Sequence, residues 1–567
     1  MEHLLPSPRV AVPASGYFTF SPGDLIAGPE PLTRAVRLAL AVLDLREAAG
    51  NAVVQVVEDP ALGSEAYTLE IAEDGIRIVA GGVAGAFYAA QTIRQLLPVD
   101  AYRSVRLPRA AWVVPCGRVE DGPAVPWRGV HLDVSRHFLP KREVLRMIDL
   151  MGVHKLNMLH LHLVDDQGWR VESRAYPRLH EIGSHRSRTT TSYYREDLAY
   201  DGIPHGGHYT LDDLSEISAY ARERAVTVVP EIDVPGHASA ILAAYPELGA
   251  KPGERYEVLD RWGISSAILS PLPATVNFLT TVFDEIIDAL GVVPFFHIGG
   301  DECVLDDWAA SEDIAAHQND LGLATPGDLH AWFLRRLADV LADRGVRAVV
   351  WDEAFVSGRL REDTVVMPWR GMNVARRAVA AGHQVVLTPV FPLYFDYAEA
   401  GSAEEPLAIG EAITVSDVAG FAPVPEGWDA AERERVAGVQ FQLWSERIPD
   451  ARTLDYRAWP RGCAVAEIAW TGAPAQNPPA QDNPTQDTPA QDSLTQDIPT
   501  QGFAARLAAH LPRLDALGVE YRPLNGPRPW QRGGGWRAHR PGMLSVRDVT
   551  AHLDELTHAA DSTRPSV

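Results

Sequence analysis

Cysteines and long apolar runs are scarce in this sequence of 567 residues. Its three cysteines, Cys116, Cys303 and Cys463, are too few and too far apart for a disulfide framework or a zinc-binding pattern. No stretch of about 18 consecutive apolar residues is present, so we expect no membrane-spanning helix and no membrane partner. The N-terminus lacks a basic segment followed by an apolar one, which favours a cytoplasmic location, or secretion if a leader precedes Met1.

Positive charge is also in short supply. The chain has 51 Lys and Arg residues against 75 Asp and Glu residues, which gives a formal net charge of −24. Nucleic acids and anionic membranes bind basic surfaces, so neither is expected to be a partner. No predicted strand is followed by a glycine-rich nucleotide-binding motif. A neutral or cationic small molecule fits this charge best, and the sequence leaves the oligomeric state open.

The first 123 residues predict a small α+β domain. The segments 52–57, 67–71 and 75–79 have the pattern of strands, and residues 82–97 carry apolar side chains at helical spacing. This unit has no cluster of histidines, cysteines and carboxylates that would suggest chemistry. We therefore expect a structural role for residues 1–123.

Residues 124–523 predict a parallel α/β domain, because short apolar runs alternate with helical stretches from Trp127 onwards. The candidate strands are 129–134, 155–163, 226–231, 295–298, 348–351, 364–367, 384–388 and 439–443. The intervening helices include 141–152, 211–223, 275–290 and 327–344. Eight such strands predict a (β/α)8 TIM barrel, and the alternative is an open, doubly wound sheet.

A low-complexity segment interrupts this pattern at 474–501. Gln recurs there at every fifth position from 476 to 501 and Pro is frequent, so the segment is predicted to be a disordered insertion without a core. Helical periodicity resumes at 503–517, which predicts the last barrel helix. Residues 524–567 form a C-terminal tail with a possible short helix at 546–559 and no recognisable chemistry.

Polar residues gather where the predicted barrel strands end. Segment 294–303 holds an apolar run, two glycines and then the adjacent carboxylates Asp301 and Glu302. The other strands end in comparable polar groups, at 132–137, 160–170, 230–237, 351–353, 367–370, 394–396 and 444–446. Because the carboxyl ends of barrel strands open into the active site, these groups are expected to form one site. Taken alone, Asp301 and Glu302 could equally begin the next helix, where carboxylates suit the positive end of the helix dipole.

The residue types at these strand ends suit a sugar ligand. Indole rings, of which the chain has 14, stack on the CH faces of sugars, while carboxylates and guanidinium groups bind hydroxyls. Glycoside hydrolysis usually needs two carboxylates on opposite sides of the scissile bond, and two sequence neighbours are poorly placed for that. One of the pair could be the general acid while the substrate itself supplies the nucleophile. The histidines lack the spacing of a zinc-protease motif, and no metal is required.

Several motifs resemble those of the family 20 glycoside hydrolases, the β-N-acetylhexosaminidases. The central one is His-Ile-Gly-Gly-Asp-Glu at 297–302, and the others lie at 128–138, 160–170, 230–237 and 444–446. They follow the family's order over 127–523, and residues 1–123 are similar to the α+β domain that usually precedes the family's barrel. The resemblance implies exo-acting, retaining hydrolysis of terminal N-acetylhexosamine. The substrate's acetamido oxygen would be the nucleophile, and the intermediate an oxazolinium ion.

The resemblance also implies the catalytic residues. Glu302 would be the general acid and then the base. Asp301 would hold the acetamido N–H and stabilise its developing positive charge, and Tyr394 would donate to the acetamido oxygen. No cofactor is implied, and the ligand would be a small oligosaccharide or glycoconjugate.

Eight further residues would bind or position the sugar by the same resemblance. Arg136 and Glu446 would bind hydroxyls at the closed end of the pocket, and Asp396 would be a further sugar contact. Asp165 and His237 would support the acid. The aromatic lining of the pocket would consist of Trp351, Trp369 and Trp444.

Two alternatives stay open at this point. A relative that releases a disaccharide, such as a lacto-N-biosidase, would need a wider pocket. A glycan-binding barrel that has lost catalysis would have no need of Asp301, Glu302 and Tyr394, so their presence argues against it. The preference between the gluco and galacto configurations and the natural aglycone are open as well.

Overall fold

The computed structural model describes residues 1–105, 112–193, 196–251, 253–475, 502–540, 543–546 and 548–553. Most of the predicted insertion at 474–501 lies outside these residues, as do the last residues of the helix predicted at 546–559. Residues 548–553, the described part of that helix, are helical. Within the described residues, no helix combines the length and the apolar character that crossing a membrane requires.

In its described residues the N-terminal domain is a seven-stranded mixed sheet with two α-helices, so the predicted α+β class is confirmed. The helices are Glu30–Ala39 and Val83–Leu96. In chain order the strands are Val10–Phe20, Leu25–Ala27, Arg46–Glu47, Val54–Glu58, Tyr67–Ala72, Gly75–Ala80 and Trp112–Asp121. The first of these was not predicted, because it forms a sheet edge and most of its residues are exposed, which removes the apolar alternation of a core strand. The last was also missed, because Pro115 and Gly117 lie within it and such residues usually indicate turns.

The second domain is a closed barrel of eight parallel strands, so the predicted TIM barrel is confirmed and the open sheet is wrong. Each strand pairs with the next along the chain, and the eighth pairs with the first. In order, the strands are Trp127–Asp133, Met158–His162, Thr227–Glu231, Phe295–His297, Arg347–Trp351, Val365–Met367, Gln384–Leu387 and Val436–Leu443.

Helices follow the strands and cover the barrel from outside. The longer ones are Lys141–Val153, Leu211–Glu223, Pro273–Leu290, Glu312–Asp320, Pro326–Asp343, Met372–Ala380, Ala451–Ala458, Arg461–Thr471 and Phe503–Ala516. Their buried positions recur every three or four residues, as the sequence pattern predicts for helices that cover a barrel.

A buried ion pair joins the two domains. Asp121 ends the last strand of the N-terminal sheet, and its Oδ2 lies 2.8 Å from Nζ of Lys155, which precedes the second barrel strand. Lys155 also donates to the Tyr67 hydroxyl at 2.9 Å, and the Trp470 indole donates to Asp121 Oδ1 at 2.7 Å. Both charged side chains are almost inaccessible to water, so each depends on the other for its stability.

Removing one partner of this pair should destabilise the protein strongly. For Asp121→Ala we expect the free energy of unfolding to fall by about 3–5 kcal/mol, because Lys155 is left charged and unpaired in the interior. Glu120→Ala is the matched control on the same strand, since Glu120 pairs with Arg118 at the exposed surface and should cost less than about 1 kcal/mol. Denaturant unfolding of the two variants measures the difference, and equal midpoints would contradict the account.

The described part of the C-terminal tail lies against loops that follow the barrel strands. The backbone N–H of Leu407 donates to Arg537 O at 2.8 Å, and that of Glu411 donates to Leu544 O at 2.8 Å. The Leu544 N–H donates to the Tyr193 hydroxyl at 3.1 Å, so the tail also reaches the long loop after the second strand. The described part of the tail is therefore packed onto the barrel.

Candidate active site

A tight turn after the fourth barrel strand presents the carboxylate pair. Gly299 and Gly300 have φ angles of +64° and +98°, and a Cβ at Gly299 would lie 1.6 Å from Asp233 Oδ1. Asp233 Oδ1 also accepts the Gly300 N–H at 3.2 Å, which fixes the turn. The next helix begins only at Asp306, so the interpretation of Asp301 and Glu302 as a helix start is wrong.

Asp301 and Glu302 differ in depth but approach the same imidazole nitrogen. His237 Nε2 lies 3.5 Å from Glu302 Oε2 and 3.8 Å from Asp301 Oδ2. The Glu302 side chain is 32% exposed and the Asp301 side chain 12% exposed, so Glu302 is nearer the opening and Asp301 is deeper. Both Glu302 and His237 have φ angles near +50°, a left-handed conformation that non-glycine residues adopt rarely and that the surrounding structure must hold in place.

Further carboxyl groups crowd this pair. Burial raises the pKa of Asp301 well above its usual range, and the charge of Asp233 raises it further. Burial also raises the pKa of Asp233 to about 7 and that of Glu353 to about 8. Glu353 Oε2 accepts the backbone N–H of Glu302 at 3.0 Å, so it holds the turn that carries Glu302. The sequence analysis placed Glu353 at a strand end but did not select it as a site residue. Its position directly after a strand is the one feature of the sequence that could have indicated a role.

Arg136 is held at the end of the first barrel strand by two carboxylates. Its guanidinium lies 2.6 Å from Asp165 Oδ2 and 3.3 Å from Asp133 Oδ2, and it lies over the Trp444 ring, 4.9 Å from the centroid. Asp133 also accepts the backbone N–H groups of Ser135 and Ser445, which ties the first and eighth strand ends together. Sequence reasoning missed Asp133, because its importance depends on a contact between residues 312 positions apart.

Two carboxyl groups that interact with each other, those of Asp396 and Glu446, offer acceptor atoms at the site. Among the described residues, Asp396 Oδ1 and Glu446 Oε2 have no hydrogen-bond partner. Burial, followed by the charge of Glu446, raises the pKa of Asp396 to about 8. Burial also raises the pKa of Glu446, against the opposing effect of Arg136. Unpaired acceptors in a buried site are costly unless a ligand donates to them, and sugar hydroxyls are suitable donors.

Aromatic rings form the inner wall of the site. The Trp444 ring lies 5.8 Å from Trp351 and 6.2 Å from Tyr394, measured between centroids, and Trp369 packs against the same cluster. Burial raises the pKa of Tyr394 well above its usual range, and the charge of Asp301 adds to this shift, so its hydroxyl stays a donor. The eleven predicted site residues all lie at or just after the ends of the barrel strands, and their assignment to the site and their individual roles stay predictions.

A pocket of about 340 Å³ opens at this end of the barrel. Arg136, His237, Glu302 and Glu446 line it, together with residues that the sequence did not indicate. These additional lining residues come from several loops that follow the barrel strands and from the tail, and include Tyr193, Trp262, Ile264, Ile409 and Leu544. Leu544 belongs to the tail in which no chemistry was recognised, so the tail takes part in forming the site.

Three of the buried histidines near the site surround a single carboxylate, that of Glu231. The carboxylate oxygens of Glu231 lie within 3.0 Å of ring nitrogens of His160, His162 and His297. Glu231 also accepts the Trp351 indole N–H at 2.9 Å. A separate group, His154, Cys463 and His510, lies away from the pocket and is connected by contacts of 3.0 and 3.4 Å. The expectation that the chain needs no metal stays a prediction.

Comparison with known protein families agrees with this geometry. Residues 125–473 match the family described as glycosyl hydrolase family 20, catalytic domain, and residues 2–122 match its domain 2. These two ranges correspond to the barrel and to the N-terminal sheet.

Named relatives and solved structures give the same picture. A beta-hexosaminidase of Porphyromonas gingivalis is 36% identical over 447 residues, and the match covers 78% of this chain but only 55% of that protein. A beta-hexosaminidase of Akkermansia muciniphila is 32% identical, with 81% of its length covered. The exo β-N-acetylglucosaminidase of Vibrio harveyi, solved in complex with N-acetylglucosamine, is similar at a TM-score of 0.78 and 29% identity, covering 92% of this chain and 78% of that one.

Proposed function

The chain belongs to glycosyl hydrolase family 20, and we propose that it is an exo-acting, retaining β-N-acetylhexosaminidase. Its substrates would be small oligosaccharides or glycoconjugates that end in a non-reducing N-acetyl-D-hexosamine, either GlcNAc or GalNAc. Support comes from the relatives named beta-hexosaminidase and from the N-acetylglucosamine complex of the Vibrio harveyi enzyme. The arrangement of the site favours a nucleophile carried by the substrate.

The observation that carries this proposal is the shared contact of Asp301 and Glu302 with His237 Nε2. A retaining enzyme with its own nucleophile has two carboxyl groups on opposite sides of the sugar. In this site the two carboxyl groups come from one turn and lie within 3.8 Å of the same imidazole nitrogen, so they are neighbours and not a pair from opposite sides of the site. Glu302 can therefore serve the leaving group, while the nucleophile comes from the substrate's own acetamido group.

In the first step the acetamido carbonyl oxygen attacks the anomeric carbon, and the bond to the leaving group breaks. Glu302, at the opening, donates its proton to the departing oxygen. Asp301, which lies deeper, accepts the acetamido N–H and stabilises the positive charge that develops on the oxazolinium ion. Tyr394 donates to the acetamido oxygen and orients it for attack.

In the second step a water molecule attacks the anomeric carbon and reopens the oxazolinium ring. The Glu302 carboxylate takes a proton from this water and regains its starting form. Two displacements at the same carbon retain the β configuration. Arg136 and Glu446, which line the pocket, bind the hydroxyls of the terminal sugar together with Asp396. A site that holds these hydroxyls leaves no room for a further sugar beyond them, so the enzyme accepts only a terminal residue.

Two matched aryl glycosides test the proposal. The purified protein should release nitrophenol from 4-nitrophenyl N-acetyl-β-D-glucosaminide. It should show at least about 10³-fold lower kcat/KM on 4-nitrophenyl β-D-glucoside, which lacks the nucleophile. No release from the first substrate, or comparable rates on the two, would contradict the proposal.

Tyr394→Phe should lower kcat by about 10²-fold, because one preorganised hydrogen bond to the attacking oxygen is lost while the ring and its packing remain. The KM should change little, since the hydroxyl-binding residues are untouched. Steady-state kinetics on the N-acetylglucosaminide measure both constants. Tyr397→Phe is the matched control, because Tyr397 is a buried neighbour that lies among the core residues. Equal losses in the two variants would show that Tyr394 has no special part in the reaction.

A further inference from the structure

A line of alternating carboxylates and imidazoles runs from the interior of the barrel to Glu302. His162 Nδ1 contacts Glu231 Oε2, and His162 Nε2 lies 3.0 Å from Asp165 Oδ2. The other oxygen of Asp165 lies 3.1 Å from His237 Nδ1, and His237 Nε2 lies 3.5 Å from Glu302 Oε2. The outer part of this line, Asp165 and His237, is the support already expected for the acid, whereas His162 and Glu231 lie behind it.

Glu231 anchors the inner end of the line as a carboxylate. It is inaccessible to water, and both of its oxygens are surrounded by donors. Burial alone would raise the pKa of Glu231, but the neighbouring imidazoles of His297 and His162 hold it well below its usual range. A carboxylate with this many partners has one fixed orientation.

His162 bridges two carboxylates, so both of its ring nitrogens must donate. An imidazole that donates from both nitrogens is an imidazolium cation. Burial would lower the pKa of His162, but Glu231 and Asp165 together raise it well above its usual range. The other charged or titratable groups that face this ring are His131, Asp133, Arg136, His160 and Asp233.

We propose that His162 is a positioning residue for the reaction of Glu302, acting through Asp165 and His237. The proposal rests on the function proposed above. The N–H that His162 donates to Asp165 Oδ2 fixes that carboxylate together with Arg136, which lies 2.6 Å from the same oxygen. The other oxygen of Asp165 therefore faces His237, and this holds the His237 ring against Glu302. The positive charge of His162 also offsets one of the carboxylates around the acid. His162 is inaccessible to water and does not touch the substrate, so it is not a catalytic residue.

Two substitutions separate the orientation from the charge. His162→Leu removes both, and should lower kcat on 4-nitrophenyl N-acetyl-β-D-glucosaminide by about tenfold or more, with KM within about twofold of wild type. His162→Gln keeps an amide N–H for Asp165 but no charge, so it should recover part of the lost kcat.

The kcat–pH profile distinguishes a specific role of His162 from a general loss of structure, because a general loss lowers kcat without moving the profile along the pH axis. Loss of a buried cation disfavours the ionised form of nearby carboxyl groups and favours imidazolium at His237. The kcat–pH profile of both variants should therefore move upward by about 0.5–1 pH unit. His383→Gln is the matched control, because His383 is buried beside the barrel and bonded to Thr364 O at 3.1 Å, away from this line. Its profile should stay in place.

The outcomes distinguish this inference from the proposed function. An inactive wild-type protein would overturn the proposed function itself. An active wild type with a His162→Leu variant that keeps its kcat, or loses kcat without a shift of the profile, would overturn the role of His162 alone. If His162→Leu does not fold, the kcat–pH profile of His162→Gln is the test. An upward shift of that profile supports the role of His162, and an unshifted profile overturns it.

Discussion

Glu302→Gln should lower kcat/KM for N,N′-diacetylchitobiose by about 10³–10⁴-fold, the usual contribution of a general acid. The amide is nearly isosteric and keeps the turn, but it has no proton to donate to the sugar leaving group. The loss on 4-nitrophenyl N-acetyl-β-D-glucosaminide should be smaller, because nitrophenolate leaves with little need of a proton. Steady-state kinetics on both substrates measure this difference between leaving groups.

Azide gives a sharper check on the same variant. Azide ions attack the oxazolinium intermediate without the help of a base, so azide should speed up aryl glycoside cleavage by Glu302→Gln and yield a β-glycosyl azide. Glu216→Gln is the matched control, since Glu216 is an exposed carboxylate paired with Lys141 on the outside of the barrel. A Glu302→Gln enzyme that retains full activity on chitobiose would remove Glu302 from the role of acid.

Asp301→Asn should lower kcat by about 10³-fold on aryl and sugar leaving groups alike, because it acts on the nucleophile and not on the leaving group. The side chain keeps its shape but loses the negative charge that faces the developing oxazolinium ion. Burial and Asp233 raise the pKa of Asp301, and the acetamido N–H of a bound substrate favours its ionised form.

Comparison with Glu302→Gln separates the role of Asp301 from that of the acid. Azide should not rescue Asp301→Asn, because formation of the intermediate, and not its breakdown, is impaired. Asp306→Asn is the control on the same loop, since Asp306 is exposed at the start of the next helix and should keep wild-type rates. A loss in Asp301→Asn that depends on the leaving group as strongly as in Glu302→Gln would mean that the two residues share one role.

Much of the barrel could be predicted because its strands are buried on both faces. Such strands appear in the sequence as short continuous apolar runs between amphipathic helices, as at Phe295–His297 and Val365–Met367. The edge strand Val10–Phe20 has no such pattern, because most of its residues face water. The insertion at 474–501 is inferred from composition alone, lies mostly outside the described residues and stays a prediction.

Site residues could be predicted where a chemically suitable side chain lies at a strand end. They could not be predicted where a residue's role depends on a contact with a distant segment of the chain. Asp301, Glu302 and Arg136 follow strands directly and carry groups suited to a sugar. Asp133 and Glu353 also follow strands, but their importance comes from backbone N–H groups that they accept from distant segments. Leu544 reaches the pocket only because the tail returns to the barrel mouth, and no local sequence pattern indicates that path.

The central claim is that the nucleophile belongs to the substrate, and a series of acetamido analogues tests it most directly. In 4-nitrophenyl β-glucosaminides whose N-acetyl group carries none, one, two or three fluorine atoms, the carbonyl oxygen becomes steadily less nucleophilic while its size changes little. Substrate-assisted catalysis predicts that kcat falls steeply along the series, by orders of magnitude from the acetyl to the trifluoroacetyl substrate. A kcat that stays constant along the series would contradict the account and require a nucleophile on the protein.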